Sequence, residues 1–541
     1  MDNFRQPRPQ TRTRSTIDGF VRGSGRTRHI AEPIGRQLVK AVRAETPARK
    51  DDDTQSITPI TQTDTAPNES EHRLPPIDLN LDDSPGAPHK TRLKVRRTFR
   101  HWALRSAIVL TVLCLGIGGL LFVQGYIKLH KVFKGTATSA VALQKNVDPT
   151  LLKGEGDGRI NILLLGNGGD GHDGPDLTDT MIVASIDPVN KTAALLSVPR
   201  DLWVTMPNNF MGSSQKINAA YEAGKYKYLG KEDASNADTN AVEAGFQAAD
   251  QVVTQVLGVP IDYNVVLNFQ AFKQAVDSLG GVTVDVPTQL YDPTMAWENN
   301  WNPILAQPGV QQMNGKEALL YVRSRETSSD FARSQRQRSV ILALKDKTLT
   351  LGTLSNPLKI SQLMSAFGNN VVTDISLSDA VRLYDITKDI GNSQIQSLDL
   401  VTPPNGLVTT ADLNNISIDE PRAGLGNYTD IQTYVRGQLK DGYITKENAQ
   451  ITVLNGSSTP GLATEKAAEL KTYGYNVTKV DNAPTQTYDK TVIIDLTNDA
   501  DKYTRHYLEN RFGVSAVTQI PDSTIQAGQA NFIIILGNDQ T

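Results

Sequence analysis

Between residues 106 and 123 the chain reads SAIVLTVLCLGIGGLLFV, and no charged residue interrupts it from Arg105 to Lys128. About 20 apolar residues at 1.5 Å each cross a ~30 Å hydrocarbon core, so this run predicts a single transmembrane helix over 104–127. Downstream the apolar positions come in short groups. Residues 160–165 (INILLL), 181–186 (MIVASI) and 192–198 predict buried strands, the last two joined by a turn at 187–191. Val242, Phe246, Ala249, Val253 and Val256 recur at threes and fours and predict a helix. A strand at 263–267, a helix at 269–278 and a strand at 282–286 follow. This alternation predicts an α/β fold, an α/β/α sandwich spanning 158–400. From residue 451 the order β-α-β-β-α-β predicts a smaller split-βαβ-like domain over 449–541. Its strands are expected at 451–455, 476–480, 491–496, 514–518 and 532–536. The remaining stretches read as connectors: a juxtamembrane linker at 128–157 and a linker at 401–448, whose 402–426 portion is rich in Pro, Asn and Gly. Residues 1–100 have no sustained apolar period and read as a disordered tail.

Charge gives this layout a direction. Residues 1–105 hold 20 Lys+Arg and 13 Asp+Glu, a balance of +7; the totals of 55 and 58 leave −10 for 106–541. Lys90, Arg92, Lys94, Arg96, Arg97, Arg100 and Arg105 directly precede the apolar run, which predicts a cytoplasmic N-terminus and extracytoplasmic C-terminal domains. The lone cysteine, Cys114, falls inside the run. The exported part therefore has no thiol chemistry, no disulfide and no cysteine-based zinc site. Only His172 and His506 lie clearly beyond the span, and neither has a nucleophile-elbow partner. Catalysis outside falls to carboxylates, guanidiniums and a metal.

Three patches offer such groups. The loop 166–180 is glycine-rich, with Asp170, Asp173, Asp176 and Asp179; carboxylates suit a hard cation such as Mg²⁺, although a surface turn has the same composition. Ser197-Val198-Pro199-Arg200-Asp201 ends a predicted strand, where ligand sites of α/β sheets gather; an Arg–Asp surface pair is the plain alternative. The third patch holds five arginines in 16 residues, Arg323, Arg325, Arg333, Arg336 and Arg338, with Tyr321, Asp330 and Gln337 among them. A strand period places Tyr321, Arg323 and Arg325 on one face, and a helix from about Arg333 gathers Arg333, Arg336 and Gln337. In an acidic exterior such a cluster calls for a polyanionic partner, because the guanidinium fork pairs with phosphate. Nucleic acid is not expected there.

The ordered motifs LLLG…TDTM (163–181), SVPRD (197–201), KINAAY (216–221), LNFQAFKQAVDSLGGVTVDVP (267–287), MNGKEALLYVRSR (313–325) and RSQRQ (333–337) resemble the LytR-CpsA-Psr family of bacterial envelope enzymes. The unit from 451 resembles the LytR-type C-terminal domain that often accompanies it. The resemblance implies a membrane-anchored, Mg²⁺- or Mn²⁺-dependent phosphotransferase. Such an enzyme moves a glycopolymer from a polyprenyl-pyrophosphate carrier, whose lipid occupies an apolar pocket, to a peptidoglycan sugar hydroxyl as a phosphodiester. It implies metal binding by Asp179, and phosphate contacts from Arg200, Arg323, Arg325 and Arg333 completed by Gln337. Asp201 and Asp330 would orient arginines or assist proton transfer. Lys216, Arg336 and Tyr321 join as substrate-binding residues. The loop departs from the family pattern at Gly168 and Leu177, where an aspartate and an arginine are usual, so Asp170 or Asp173 would supply the second carboxylate from another register. A polyprenyl-pyrophosphate hydrolase and a non-catalytic binder of lipid-linked glycans are the alternatives.

Overall fold

The computed structural model describes residues 132–207, 214–231, 237–325, 330–350, 368, 370–402 and 406–541, the side chains of 330, 331, 349 and 350 excepted. The predicted tail at 1–100 and span at 104–127 lie outside them. Among the described residues no helix is long and apolar enough to cross a membrane.

The chain first lays down β1 (Ile160–Asn167), β2 (Thr180–Asp187) and β3 (Thr192–Ser197), then the short pair β4 (Trp203–Thr205) and β5 (Ser214–Lys216). Helices α1 (Ala220–Leu229) and α2 (Thr239–Leu257) lead into β6 (Tyr263–Asn268) and α3 (Phe269–Ser278). Four further strands follow: β7 (Val282–Val286), β8 (Leu290–Tyr291), β9 (Ile304–Ala306) and β10 (Gly309–Met313). Then come α4 (Gly315–Arg323), α5 (Asp330–Thr350), β11 (Val371–Thr373), α6 (Leu377–Thr387) and β12 (Ile395–Asp399).

Six of these strands form one mixed sheet in the order β11-β6-β1-β2-β3-β12. The period-2 alternation in β1 sorts its side chains between two cores. Leu163 and Leu165 pack with Val183 and Leu196 against Tyr221 of α1 and Val242, Phe246, Ala249 and Val253 of α2. Ile160 and Ile162 face the other way, toward Leu383 and Ile386 of α6. The fold is mixed α/β with helices on both faces. The helices α1 and α2 approach so closely that a Cβ on Gly224 would meet the Ala244 carbonyl at 2.2 Å, so only glycine fits that crossing. A third core joins α3, α4 and α5 to β7–β10.

Two connectors prove to be structured. The expected linker at 401–448 contains the hairpin β13 (Val408–Leu413) and β14 (Ile416–Pro421), then α7 (Thr429–Gln438) and α8 (Gly442–Glu447). Val408, Ile431 and Val435 are buried in the same core as α2, so the first domain runs well past residue 400. The Asn-rich composition marks the hairpin turn, where Asn414 and Asn415 take positive φ, rather than a free linker. The described part of the other expected linker, from residue 132, is a strap: Ala140 and Leu143 pack under the large sheet while Val147 and Leu152 enter the C-terminal core.

The C-terminal domain comprises β15 (Gln450–Asn455), α9 (Leu462–Thr472), β16 (Asn476–Asn482), β17 (Val492–Asp495), α10 (Lys502–Phe512) and β18 (Phe532–Leu536), in the order β16-β15-β18-β17. Because β16 pairs directly with β15 in parallel, this βαβ unit is not split, contrary to expectation. Residues 514–518 supply only an isolated bridge at Val517. The two domains meet at Asp441, whose carboxylate accepts from Gly156 N (3.1 Å), Gly158 N (3.0 Å) and Tyr507 Oη (2.9 Å). A side chain at Gly158 would collide with that carboxylate.

Candidate active site

The strand directions bring the motifs together. β6 runs parallel to β1, β12 parallel to β3, and β2 antiparallel to both β1 and β3. The carboxyl ends of β1, β3, β6 and β12 and the start of β2 therefore share one edge of the sheet. That edge delivers Asp179–Thr180, Ser197–Asp201, Asn268–Phe269 and Asp399 to one place, and α5 passes across it.

Arg200 is the centre of the arrangement, with its side chain 11% exposed. Its Nη1 lies 2.7 Å from Asp179 Oδ1 and its Nε 3.4 Å from Asp201 Oδ2. Asp201 also takes Lys216 Nζ at 2.7 Å and Arg325 Nη2 at 3.8 Å. One carboxylate thus holds three cations close together, which makes Asp201 a positioning residue. Arg323 is held differently. Its Nη1 contacts both oxygens of Glu298 at 2.9 and 3.1 Å, and its guanidinium lies over the Phe269 ring at 4.6 Å. His172 in turn meets Phe269 edge-on at 5.0 Å.

The loop 166–180 is fastened at three points. Thr178 N and Oγ1 both donate to the Asn218 carbonyl at 3.0 Å, while Asn218 Nδ2 donates to Asp179 Oδ1 at 3.0 Å. Below, Asp176 forms a buried pair with Lys225 at 2.8 Å. Asp176 is thus structural. Asp170 is exposed on the loop, and among the described residues no three Asp, Glu, His or Cys side chains are close enough to hold a metal together.

The arginine cluster divides in two. α4 continues through Tyr321 and Arg323, so these residues are not on a strand. The helix starts with a capping box in which Asn314 and Glu317 exchange side-chain-to-backbone bonds. Tyr321 is buried in the third core, and Arg336 turns inward beneath it: Nε donates to the Tyr321 carbonyl at 2.8 Å and Nη2 to the Ser324 carbonyl. Burial pulls the Arg336 guanidinium below the usual arginine range. Arg338, 2% exposed, donates to Ser197 Oγ at 2.8 Å. These groups are committed to the protein: Tyr321 and Arg336, expected as substrate-binding residues, both turn into the core rather than to the sheet edge. Arg333 and Gln337 do reach the sheet edge. They line a narrow cleft with Asp179, Thr180, Pro199 and Asp399, and Gln337 Nε2 donates to Thr180 Oγ1 at 3.0 Å. The Asp330 side chain lies outside the described residues.

Glu298, Phe269, Asn218 and Thr180 were not singled out from the sequence. Asn218 and Thr180 sit inside the motifs KINAAY and TDTM and carried a signal; Glu298 is 25 residues from its partner and carried none. Chemically the edge offers Arg200, Lys216, Arg323, Arg325 and Arg333 against Asp179, Asp201, Glu298 and Asp399. The excess of cations, most of them guanidinium forks, suits a phosphate-bearing ligand.

Comparison with known proteins agrees with the motifs. The model of the LytR_cpsA_psr family matches residues 123–422, and that of the LytR cell envelope-related transcriptional attenuator domain matches 448–539. The chain is 32% identical over 235 residues to the Bacillus subtilis protein named polyisoprenyl-teichoic acid–peptidoglycan teichoic acid transferase TagV, covering 42% of this chain and 54% of that one. The match thus spans about half of that relative. The B. subtilis protein of the same description named TagT is 26% identical over 297 residues, 54% of this chain and 84% of its own. The crystal structure of B. subtilis TagV is 29% identical with a TM-score of 0.39, covering 52% of this chain and 96% of that one. With more than half its length matched by the family model, the chain belongs to the LytR_cpsA_psr family.

Proposed function

We propose that this protein transfers a glycopolymer from a polyprenyl-pyrophosphate carrier to a sugar hydroxyl of peptidoglycan, leaving a phosphodiester. The carrying observation is the sheet edge at which Arg200 pairs with Asp179, Arg325 joins Arg200 on Asp201 and Arg333 lines the cleft beside Asp179, in a chain of this family. The relatives' names support the substrate classes. The site faces outward from the cytoplasmic membrane, with 104–127 as the anchor; the uncharged run and its preceding basic residues support that topology.

In this reading the acceptor oxygen attacks the phosphorus nearer the glycan. A new O–P bond forms, the bond to the bridging pyrophosphate oxygen breaks, and polyprenyl phosphate departs with the bonding pair. The hydroxyl proton passes to a carboxylate of the site or to water. Arg200, Arg325 and Arg333 grip the pyrophosphate and offset the charge that grows on the leaving group. Asp201 fixes Arg200, Lys216 and Arg325, and Glu298 with Phe269 fixes Arg323. Arg200 and Asn218 both engage Oδ1 of Asp179, which leaves Oδ2 as the atom to meet a cation. Mg²⁺ often takes one or two carboxylates plus substrate phosphates, so Asp179 fits that ion without a second protein ligand. When bound, the ion would neutralise phosphate charge. The test is the lipid that copurifies with the full-length protein: mass spectrometry should find a polyprenyl phosphate or pyrophosphate. Its loss in R200A supports the reading; phospholipid alone opposes it.

A further inference from the structure

The chain has four tryptophans, at 102, 203, 297 and 301. Two sit on the turn that carries Glu298, and both are out in solvent, Trp297 63% and Trp301 82% exposed. Large aromatic rings are usually buried, so two exposed within five residues of one turn mark a contact surface. The turn is built to hold them. A 3₁₀ helix over Pro293–Asn299 is capped by Asp292, whose carboxylate also accepts from Ser324 Oγ at 2.7 Å. Asn300 and Trp301 then take φ of 53° and 62°, a conformation that bulky side chains avoid. It is enforced by Trp301 N donating to the Ala296 carbonyl at 2.7 Å and by Asn299 Nδ2 donating to the Asn302 and Ile304 carbonyls. Strain of this kind persists where the surroundings over-determine it. Between the tryptophans, Glu298 holds Arg323, so the rings stand beside the phosphate-binding edge.

Charge identifies the occupant. From residue 282 to 315 there is no Lys, Arg or His; the only charges are Asp285, Asp292 and Glu298. Asp292 is buried and Glu298 is paired with Arg323, so the segment offers a phosphate-bearing polymer no cation of its own, and an anionic lipid surface would be met by basic residues. Exposed Asn300 and Asn302 flank Trp301 in the chain and supply amide groups on the same turn. Flat C–H faces rimmed by hydroxyls are the chemistry that stacked indoles and amides recognise, and that is an uncharged sugar ring.

We propose that Trp297 and Trp301 form a stacking platform for the uncharged sugar chain of the acceptor glycan, beside Arg323. Sugar binding stands on this geometry alone; assigning the sugar to the acceptor rests on the transferase reading above. The test titrates full-length protein in detergent with chitohexaose, an uncharged β-1,4-linked N-acetylglucosamine hexamer, by calorimetry and tryptophan emission. Saturable binding is expected, weakened about tenfold or more in W297A/W301A. W301G, which relieves the positive φ while removing the ring, should weaken it too, and W297F/W301F should keep part of it. In the transfer assay the double alanine variant should raise the acceptor KM and leave kcat within about twofold. Unchanged chitohexaose affinity in the double variant, with the wild type active, overturns the platform and spares the transferase. Platform-dependent sugar binding without any transfer by the wild type does the reverse. Quenching of wild-type emission by brominated phosphatidylcholine that vanishes in W297A/W301A would place the rings in a bilayer and overturn the proposal.

Discussion

Arg200 Nη1 lies 2.7 Å from Asp179 Oδ1, joining the residue that leaves β3 to the residue that precedes β2. The pair ties the turn after β3 to the loop before β2. D179N keeps the shape and removes the charge, and R200K keeps a charge but loses the fork. Both are expected to lower kcat/KM about 10²-fold or more. Thermal midpoints should stay near that of the wild type, since the pair is partly exposed. Steady-state turnover with parallel melting curves checks this; an active D179N would remove Asp179 from the mechanism.

Arg336 should behave unlike Arg333, although both belong to one cluster. Its guanidinium satisfies the carbonyls of Tyr321 and Ser324, which bracket Arg323 and precede Arg325. R336A leaves those carbonyls buried without a donor, at a cost of about 1–3 kcal/mol each. Its melting midpoint should fall clearly and activity should fall with it. R333A should lose activity at nearly full stability. Equal melting curves for the two variants would contradict this assignment.

The loop's fastening makes a third prediction. Lys225 and Asp176 are 1% and 3% exposed, so removing one partner strands the other's charge in the interior. D176A and K225A are expected to cost about 3–5 kcal/mol, while D176L/K225M should recover much of it. Urea unfolding gives all three values. A double variant no better than the singles would show that the pair contributes more than charge neutralisation.

Stability should also depend on pH through two carboxylates far from this site. Burial raises Asp250 and Asp262 to about 7, with Asp374 close enough to add to Asp250 and Asp157 to Asp262. Their hydrogen bonds from Asn264 Nδ2 and Asn161 N oppose the shift without cancelling it. The folded state then binds more protons than the unfolded one between about pH 4 and 7. Their contribution is most favourable at the acid end, falls as pH rises through 7, and levels off above. D250N should flatten this slope and stabilise the protein at pH 8 more than at pH 5, as melting curves across that range would show. A steeper slope in D250N would contradict it.

Much of the fold was legible because β1, β2, α2 and α3 each bury side chains at the period their sequence displays. The misreadings have local causes. Tyr321, Arg323 and Arg325 fall at alternate positions as on one face of a strand, but the Asn314–Glu317 capping box seven residues before Tyr321 starts a helix that carries through Arg323. Proline, asparagine and glycine at 402–426 mark turns in a folded hairpin as readily as they mark a linker. That the C-terminal βαβ unit is not split was unreadable, because strand neighbours depend on which edge β16 joins, and its own residues do not encode that. In the site, Arg200, Asp201 and Asp179 were legible from motif and strand end. Arg336 was not distinguishable from Arg333 before the helix phase placed one inward and the other at the cleft. Glu298 was invisible, because its partner is remote in sequence and its neighbours read as a loop.

The central claim is tested most directly by one reconstitution: full-length protein, Mg²⁺, a glycan-linked polyprenyl pyrophosphate and peptidoglycan. The measurement is the phosphodiester-linked glycan on the wall together with the released polyprenyl phosphate. The two are expected in equal amounts, and both are lost in R200A. Free phosphorylated glycan without wall product, or no turnover of the authentic donor, would contradict it.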